Sequence, residues 1–327
     1  MFEPGTLSAS SEVPGSHLQG GFVNFETLVQ GLSHGAVPDI PVDSSAREQA
    51  TQKPAIATDS NALFRTTARL VQVYALVTDD RGRYMDDLSR DQFTVLDNGQ
   101  PVTTVAFENR VTGISCALIL DTTESMRAAL PALKNAALGL IGSLRSTDAV
   151  AVYGLGNGFS QLQPFTLDKA AAKRAVLESD ASGMTALYDA LVYVNRDLSA
   201  RTGKKVMVVI TDGDDNFSTL TRDIAIRRAE MNGVPIYTLP MGTAIKNPTL
   251  LKELIALSQA TGGVSYPIES IKEIESTFEK VLQDLPHGYL LTVQPPPVED
   301  TGWRSIEVIL NPSKGQRVRA RSGYYPQ

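Results

Sequence analysis

The chain has 327 residues, 42% of them hydrophobic and 20% charged, which suffices for two domains of ordinary globular composition. Its net charge of −6 at pH 7 argues against nucleic acid or an anionic membrane as main partner, and no apolar stretch is long enough to cross a bilayer. The single cysteine excludes an internal disulfide.

The opening residues Met1-Phe2-Glu3-Pro4-Gly5 lack the basic start and apolar middle of a secretory signal. The protein is then either cytosolic, or carries a signal that this sequence omits. Residues 1–62 are rich in Ser, Gly, Pro and Thr and show no sustained period apart from an apolar patch at Phe22–Leu32. They are expected to form a flexible leader. From Phe64 the pattern turns strand-like: Val71, Val73, Ala75 and Val77 share one face, and Asp79-Asp80-Arg81-Gly82 ends the run. Leu88–Phe93 reads as one helical turn capped by Ser89. Phe93–Leu96 and Val102–Phe107 then flank Asp97-Asn98-Gly99-Gln100, where Asn-Gly signals a hairpin because both residues tolerate positive φ.

Residues 114 to 285 alternate strand and helix. The expected strands are Ile114–Leu120, Ala149–Gly154, Gln161–Phe165, Val206–Thr211, Pro235–Leu239 and Val264–Ile268. The expected helices are Met126–Leu144, Asp168–Glu178, Ala186–Ala200, Thr221–Met231, Pro248–Thr261 and Ile271–Leu285. Such alternation predicts an α/β fold: a doubly wound, mostly parallel six-stranded sheet covered on both faces. Cys116 falls inside the first of these strands, so a buried, inert thiol is expected. After Leu285-Pro286 strands return at Tyr289–Val293, Ile306–Leu310 and Arg317–Arg321. Each flank alone is thin for an independent core. Residues 63–111 and 287–327 are therefore expected to pair into one small β-sandwich, with residues 112–286 inserted between them.

The chemistry concentrates where strands end. Asp121, Thr123 and Ser125 occupy alternate positions directly after Ile114–Leu120, and Asp212 follows Val206–Thr211. Ser182–Leu187 supplies Thr185 on a loop of small residues. In a doubly wound sheet the first and fourth strands meet where the strand order reverses, and ligand crevices form there. Two carboxylates and three hydroxyls converging on that point are hard oxygen donors, suited to Mg²⁺, Mn²⁺ or Ca²⁺ rather than zinc or copper. With some of these donors acting through water, such a ring leaves a cation under-neutralised, with room for an outside oxygen such as a partner's carboxylate.

These residues carry a resemblance. Asp121-Thr122-Thr123-Glu124-Ser125, Thr185 and Asp212-Gly213 resemble the metal-ion-dependent adhesion site of von Willebrand factor type A domains, over roughly residues 112–286. The family pattern is D-x-S-x-S; Thr123 keeps the hydroxyl and adds a methyl. The flanks, including Leu88–Asn98 and the closing Arg317–Tyr325, resemble a von Willebrand-related family expanded in acidobacteria, whose members are commonly exported. The resemblance implies a Rossmann-like fold, binding of a protein partner through the metal, and an extracytoplasmic (periplasmic or secreted) setting.

Competing readings are weaker. Helix capping explains one of Asp121, Thr123 and Ser125 but not three together with Thr185 and Asp212. Asp212, Asp214, Asn216 and Asp223 mimic a calcium loop, yet its sixth position is Phe217 instead of Gly. Asp214 and Asp215 then read as solvated rim charges. Gly154–Gly158 precedes a strand rather than a helix, so it reads as a flexible turn rather than a dinucleotide site. Arg317, Arg319 and Arg321 line one strand face and read as a solvated edge. His17, His34 and His287 assemble no triad. A non-enzymatic, cation-dependent interaction module is thus the leading expectation, engaging an acidic residue of a partner protein. The alternative is a Mg²⁺-dependent phosphoester hydrolase using the same ring, although Thr123 stands where its leaving-group acid is needed. A third reading has the ring satisfied by internal hydrogen bonds alone.

Overall fold

The structure, a computed structural model, describes residues 70–109, 113–213, 215–297, 301–313 and 315–326; the expected leader lies outside them. The eight residues of β4 (Ile114–Asp121) are all buried, as expected of a strand covered on both faces. It runs parallel to β5 (Ala149–Leu155) on one side and to β7 (Lys204–Thr211) on the other. An antiparallel β6 (Phe159–Thr166) and a parallel β8 (Ile236–Pro240) complete a five-stranded sheet in the order β6-β5-β4-β7-β8. Alternate side chains of β4 feed two cores. Cys116, Leu118 and Leu120 pack with α1 (Leu130–Ser143) and with Phe278 and Val281 of α7 (Ile274–Asp284). Ala117 and Ile119 pack with α3 (Leu187–Ser199) and with Leu254 and Leu257 of α6 (Pro248–Thr261). The remaining helices are α2 (Lys169–Glu178), α4 (Arg222–Asn232) and a short α5 (Thr243–Lys246). Asp168 caps α2 by accepting from Ala170 and Ala171, and Thr221 caps α4.

Three expectations need correction here. The sheet has five strands, not six: Val264–Ile268 adds only isolated parallel bridges, Thr238 to Ser265 and Met241 to Ile268. The Tyr266 and Ile268 N–H groups donate to the Thr238 and Pro240 carbonyls, but Pro240 has no N–H to donate to the Tyr266 carbonyl, so the ladder is interrupted. The first helix begins at Leu130 rather than Met126, because Pro131 favours the first turn of a helix; a 3₁₀ turn, Glu124–Met126, fills the gap. The last helix likewise opens with a 3₁₀ turn at Ile271–Glu273.

The flanks form one antiparallel sheet rather than a sandwich of two. It comprises β1 (Val71–Thr78), β2 (Phe93–Asp97), β3 (Gln100–Glu108), β9 (Tyr289–Gln294), β10 (Arg304–Leu310), β11 (Arg317–Ala320) and β12 (Gly323–Tyr324), in the order β11-β1-β9-β3-β2-β10-β12. Its two edge strands are separated in sequence by only Arg321 and Ser322, so the sheet must curl until its edges approach. Curling lets one sheet enclose its own core of Val73, Ala75, Val95, Tyr289, Leu291 and Val308. The β2–β3 hairpin turns on Asn98 (φ 48°) and Gly99 (φ 76°), as Asn-Gly predicts. Ser89 forms the expected capping box over Arg90–Gln92.

The three arginines do not form a solvated edge. Arg317 is exposed. Arg319 donates to Asp284 Oδ2 at 2.5 Å and to the Tyr237 hydroxyl at 3.1 Å. Arg321 is 4% exposed and donates to the carbonyls of Gly323 (2.8 Å) and of Glu230, in the last turn of α4, where the helix dipole favours a cation. Alternation marked their common face correctly, but that face turns towards the helices.

Cys116 is fully buried, and burial pushes its thiol up to about 12 from an ordinary 9.0. Thiol reagents at pH 8 should leave it untouched in the native protein and label it once the chain is denatured. Between pH 9 and 12 the unfolded chain releases a proton that the native state keeps. Stability should therefore fall across that window, by up to about 1.4 kcal/mol per pH unit. Denaturant melts should show a shallower alkaline slope in Cys116→Ala.

Candidate functional site

The register of β4 on β7 matches Leu120 with Ile210, which sets Asp121 level with Thr211 at the carboxyl ends of both strands. The Thr211 hydroxyl donates to Asp121 Oδ2 at 2.7 Å and accepts from the Gly213 N–H at 2.8 Å. On the other side of the carboxylate, Thr123 donates to Asp121 Oδ1 from its backbone N–H (3.1 Å) and from its hydroxyl (2.5 Å). Thr123 Oγ1 lies 3.1 Å from Ser125 Oγ. Asp121, Thr123 and Ser125 thus form a continuous line of oxygens. Thr123 is the N-cap residue of the 3₁₀ turn but makes no side-chain capping bond; its hydroxyl goes to Asp121 instead.

Asp121 is fully buried, Thr123, Thr185 and Asp212 are 2%, 3% and 5% exposed, and Ser125 alone of the five is exposed. Burial raises the Asp121 carboxyl above the usual range, and the charge of Asp212 pushes the same way; the bonds from Thr123 and Thr211 oppose them without winning. Asp212, one residue beyond Thr211, is thus electrically coupled to Asp121. Among the described residues no group of three or more His, Cys, Asp and Glu side chains gathers in a way suited to a metal. Here two carboxylates stand among hydroxyls.

Thr185 arrives on the loop between α2 and α3, fixed on two sides. Its N–H donates to Asn216 Oδ1 at 3.0 Å, and its carbonyl accepts from the N–H groups of Asn216 (3.1 Å) and Phe217 (3.0 Å). This ties it to the segment that follows Asp212. The same loop binds the first motif, since the Ser182 N–H donates to the Thr122 carbonyl at 2.8 Å. Thr122 also donates through its hydroxyl to the Leu155 carbonyl at 2.8 Å, locking the end of β4 to β5. Within the loop Gly183 has φ +69°, and a Cβ there would lie 2.0 Å from Asn157 Oδ1 and 2.3 Å from its N. Gly183→Ala must therefore push the loop, and Thr185 with it, away from the Gly156–Gly158 turn. A destabilisation of about 1–3 kcal/mol is expected in thermal or denaturant melts. The turn at Gly154–Gly158 is packed against its neighbours rather than free.

Asp215 is not a rim charge. It accepts from the Tyr188 N–H at 2.9 Å and from the Ser218 hydroxyl at 2.7 Å, capping the first turn of α3 from across a loop. Asp214 lies outside the described residues. Thr211, Thr122 and Asn216 are the participants that motif spacing did not single out. The signal for Thr211 was the register: two strands ending level bring Asp121 opposite the residue before Asp212.

A mostly parallel sheet with helices on both faces, carrying Asp121 and its hydroxyls at the carboxyl end of the central strand, defines the class. Residues 116–214 match the von Willebrand factor type A domain family. That match covers 99 of the 327 residues, under a third of the chain. No match was found among curated proteins. Among solved structures it is similar to the conserved hypothetical protein BatB from Bacteroides thetaiotaomicron (18% identity, TM-score 0.44, covering 53% of this chain and 99% of that one). It is also similar to a von Willebrand factor type A protein from Catenulispora acidiphila (16% identity, TM-score 0.48, 78% and 73%). A third is the von Willebrand domain of a type V pili tip protein from Porphyromonas gingivalis (11% identity, TM-score 0.45, 54% and 95%). No helix among the described residues is long and apolar enough to cross a membrane.

Proposed function

We propose that the chain is a non-enzymatic interaction module that engages an acidic side chain of a partner protein through a divalent cation. Asp121, Thr123, Ser125 and Thr185 would hold the ion, with Asp212 contributing directly or through water. The donor set fits a hard cation such as Mg²⁺, Mn²⁺ or Ca²⁺, because every side-chain donor is oxygen. When bound, the cation supplies an open coordination position for an outside oxygen. The observation that carries the reading is a fully buried carboxylate, Asp121, coupled to a second acid and faced by hydroxyls at alternate positions. A buried carboxylate pair is costly unless a positive charge joins it.

The chain's own residues set the geometry. Thr211 and Thr123 fix both oxygens of Asp121, while Asn216 positions Thr185. The hydrolase alternative has Thr123, a hydroxyl bound to Asp121, where a leaving-group acid would stand. We further infer that residues 63–111 and 287–327 act as one platform presenting residues 112–286, and that the module works outside the cytoplasm.

Isothermal calorimetry on chelator-stripped protein tests the reading. One Mg²⁺ or Mn²⁺ site is expected, with capture of the partner lost in chelator. No heat from any of the three cations, together with a melting temperature indifferent to chelator, would leave the ring as a purely internal hydrogen-bond network.

A further inference from the structure

Lys204 opens β7 and so stands at the far end of that strand from Thr211. It is 9% exposed and borders a cavity of about 30 Å³ between the two sheets, lined also by Tyr74, Tyr237, His287 and Arg319. The Lys204 ammonium donates to the Leu285 carbonyl at 2.6 Å and to the His287 carbonyl. An ammonium carries three N–H donors, so one remains. Arg319 uses its Nη2 on Asp284 and Tyr237, while its buried Nε–H has no partner among the described residues. Two cationic donors are therefore left over at one cavity.

The charges around it do not balance. Among the described residues Asp284 is the one carboxylate in contact with Arg319, and its other oxygen accepts from Tyr84 at 2.6 Å. Asp86 is engaged by His287 at 2.7 Å, and nearby Arg145 is paired with Asp148. The carbonyls ending α7 offer Lys204 a partial negative charge, worth about half an elementary charge. A positive excess remains beside a buried ammonium, and burying charge without a counter-charge is unfavourable. Burial accordingly draws the Lys204 ammonium down to about 8.

We propose that this cavity binds a small monovalent anion, a halide such as chloride, between Lys204 and the Nε–H of Arg319. Size selects the class. By this measure a site of about 10–15 Å³ admits one water, so the space suits a single-atom ion. The site lies at the opposite end of the sheet from Asp121, and it stands whether or not the cation reading holds.

The test compares thermal unfolding of the full chain at pH 7 in sodium chloride and in sodium gluconate of equal ionic strength, the gluconate ion being too large for the cavity. A melting temperature a few degrees higher in chloride, saturating with concentration, is expected. Excess chloride NMR line width in the native protein, displaced by bromide, should accompany it. Lys204→Met should abolish both effects, whatever its own stability. Equal melting temperatures in the two salts with no excess line width would mean that water satisfies these donors, and would overturn the proposal. So would the same chloride dependence in a folded Lys204→Met. If that variant does not fold, the wild-type line width and its bromide displacement decide.

Discussion

Replacing Asp121 by asparagine should abolish the calorimetric heat of Mg²⁺ or Mn²⁺ at concentrations that saturate the wild type, while the protein stays folded. Asparagine keeps the shape and its oxygen still accepts from the Thr123 N–H and hydroxyl, while its NH₂ reverses the Thr211 bond, which Thr211 must then accept. The substitution removes the charge, and a cation held by one remaining carboxylate, Asp212, and neutral hydroxyls loses most of its electrostatic support. Alanine is the harsher change, because the hydroxyls of Thr123 and Thr211 then lose a buried acceptor, at about 1–3 kcal/mol for each group left unsatisfied. Comparing the two separates metal loss from structural loss. Unchanged heat in Asp121→Asn would sink the cation site. Thr211→Val should weaken binding about 10–100-fold without touching a proposed ligand, since it removes a group that orients one.

The second large effect lies in the curled sheet. Asp97→Ala should cost about 3–5 kcal/mol in denaturant unfolding, the range for breaking a buried ion pair from one side. Asp97 is the last residue of β2 and Arg304 the first of β10. The guanidinium donates to the carboxylate through Nε at 2.9 Å and Nη2 at 2.9 Å, and Tyr324 of β12 adds its hydroxyl at 3.2 Å. The Asp97 side chain is fully buried and that of Arg304 is 14% exposed, so neither recovers water when the other is removed. Three strands meet at this carboxylate near the edge of the sheet. A double replacement, Asp97→Ala with Arg304→Met, should recover much of the loss, because the cost comes from stranding a charge. A loss below about 1 kcal/mol in the single variant would show that the pair is solvated and weak.

Much of the fold was legible because its signals are local. The apolar runs of β4 and β7, the Asp168 and Thr221 caps and the Asn98-Gly99 turn each act within a few residues of themselves. What failed was non-local or depended on one atom. Val264–Ile268 has strand-like residues, but Pro240 across from it lacks the N–H that a ladder needs, and the sheet stopped at five. The single curled sheet could not be read from strand count, since two sheets or one rolled sheet use the same alternating pattern. Arg319 and Arg321 looked solvated because charge usually is. Their partners, Asp284 and the Glu230 carbonyl, lie 35 and 91 residues away in sequence. At the candidate site the alternate oxygens stood out in sequence. Thr211 and Asn216 did not, because their importance comes from register and from a loop crossing.

The pairing of Glu108 with Leu290 joins β3 to β9 as a stem, and the whole α/β part hangs from that stem. If the two flanks are stretched, the tension crosses from β1 to the neighbouring β11 and bypasses the covalent path through the suspended part. Mechanical load along that path would then reach Asp121 and its neighbours only after β1 and β11 had parted.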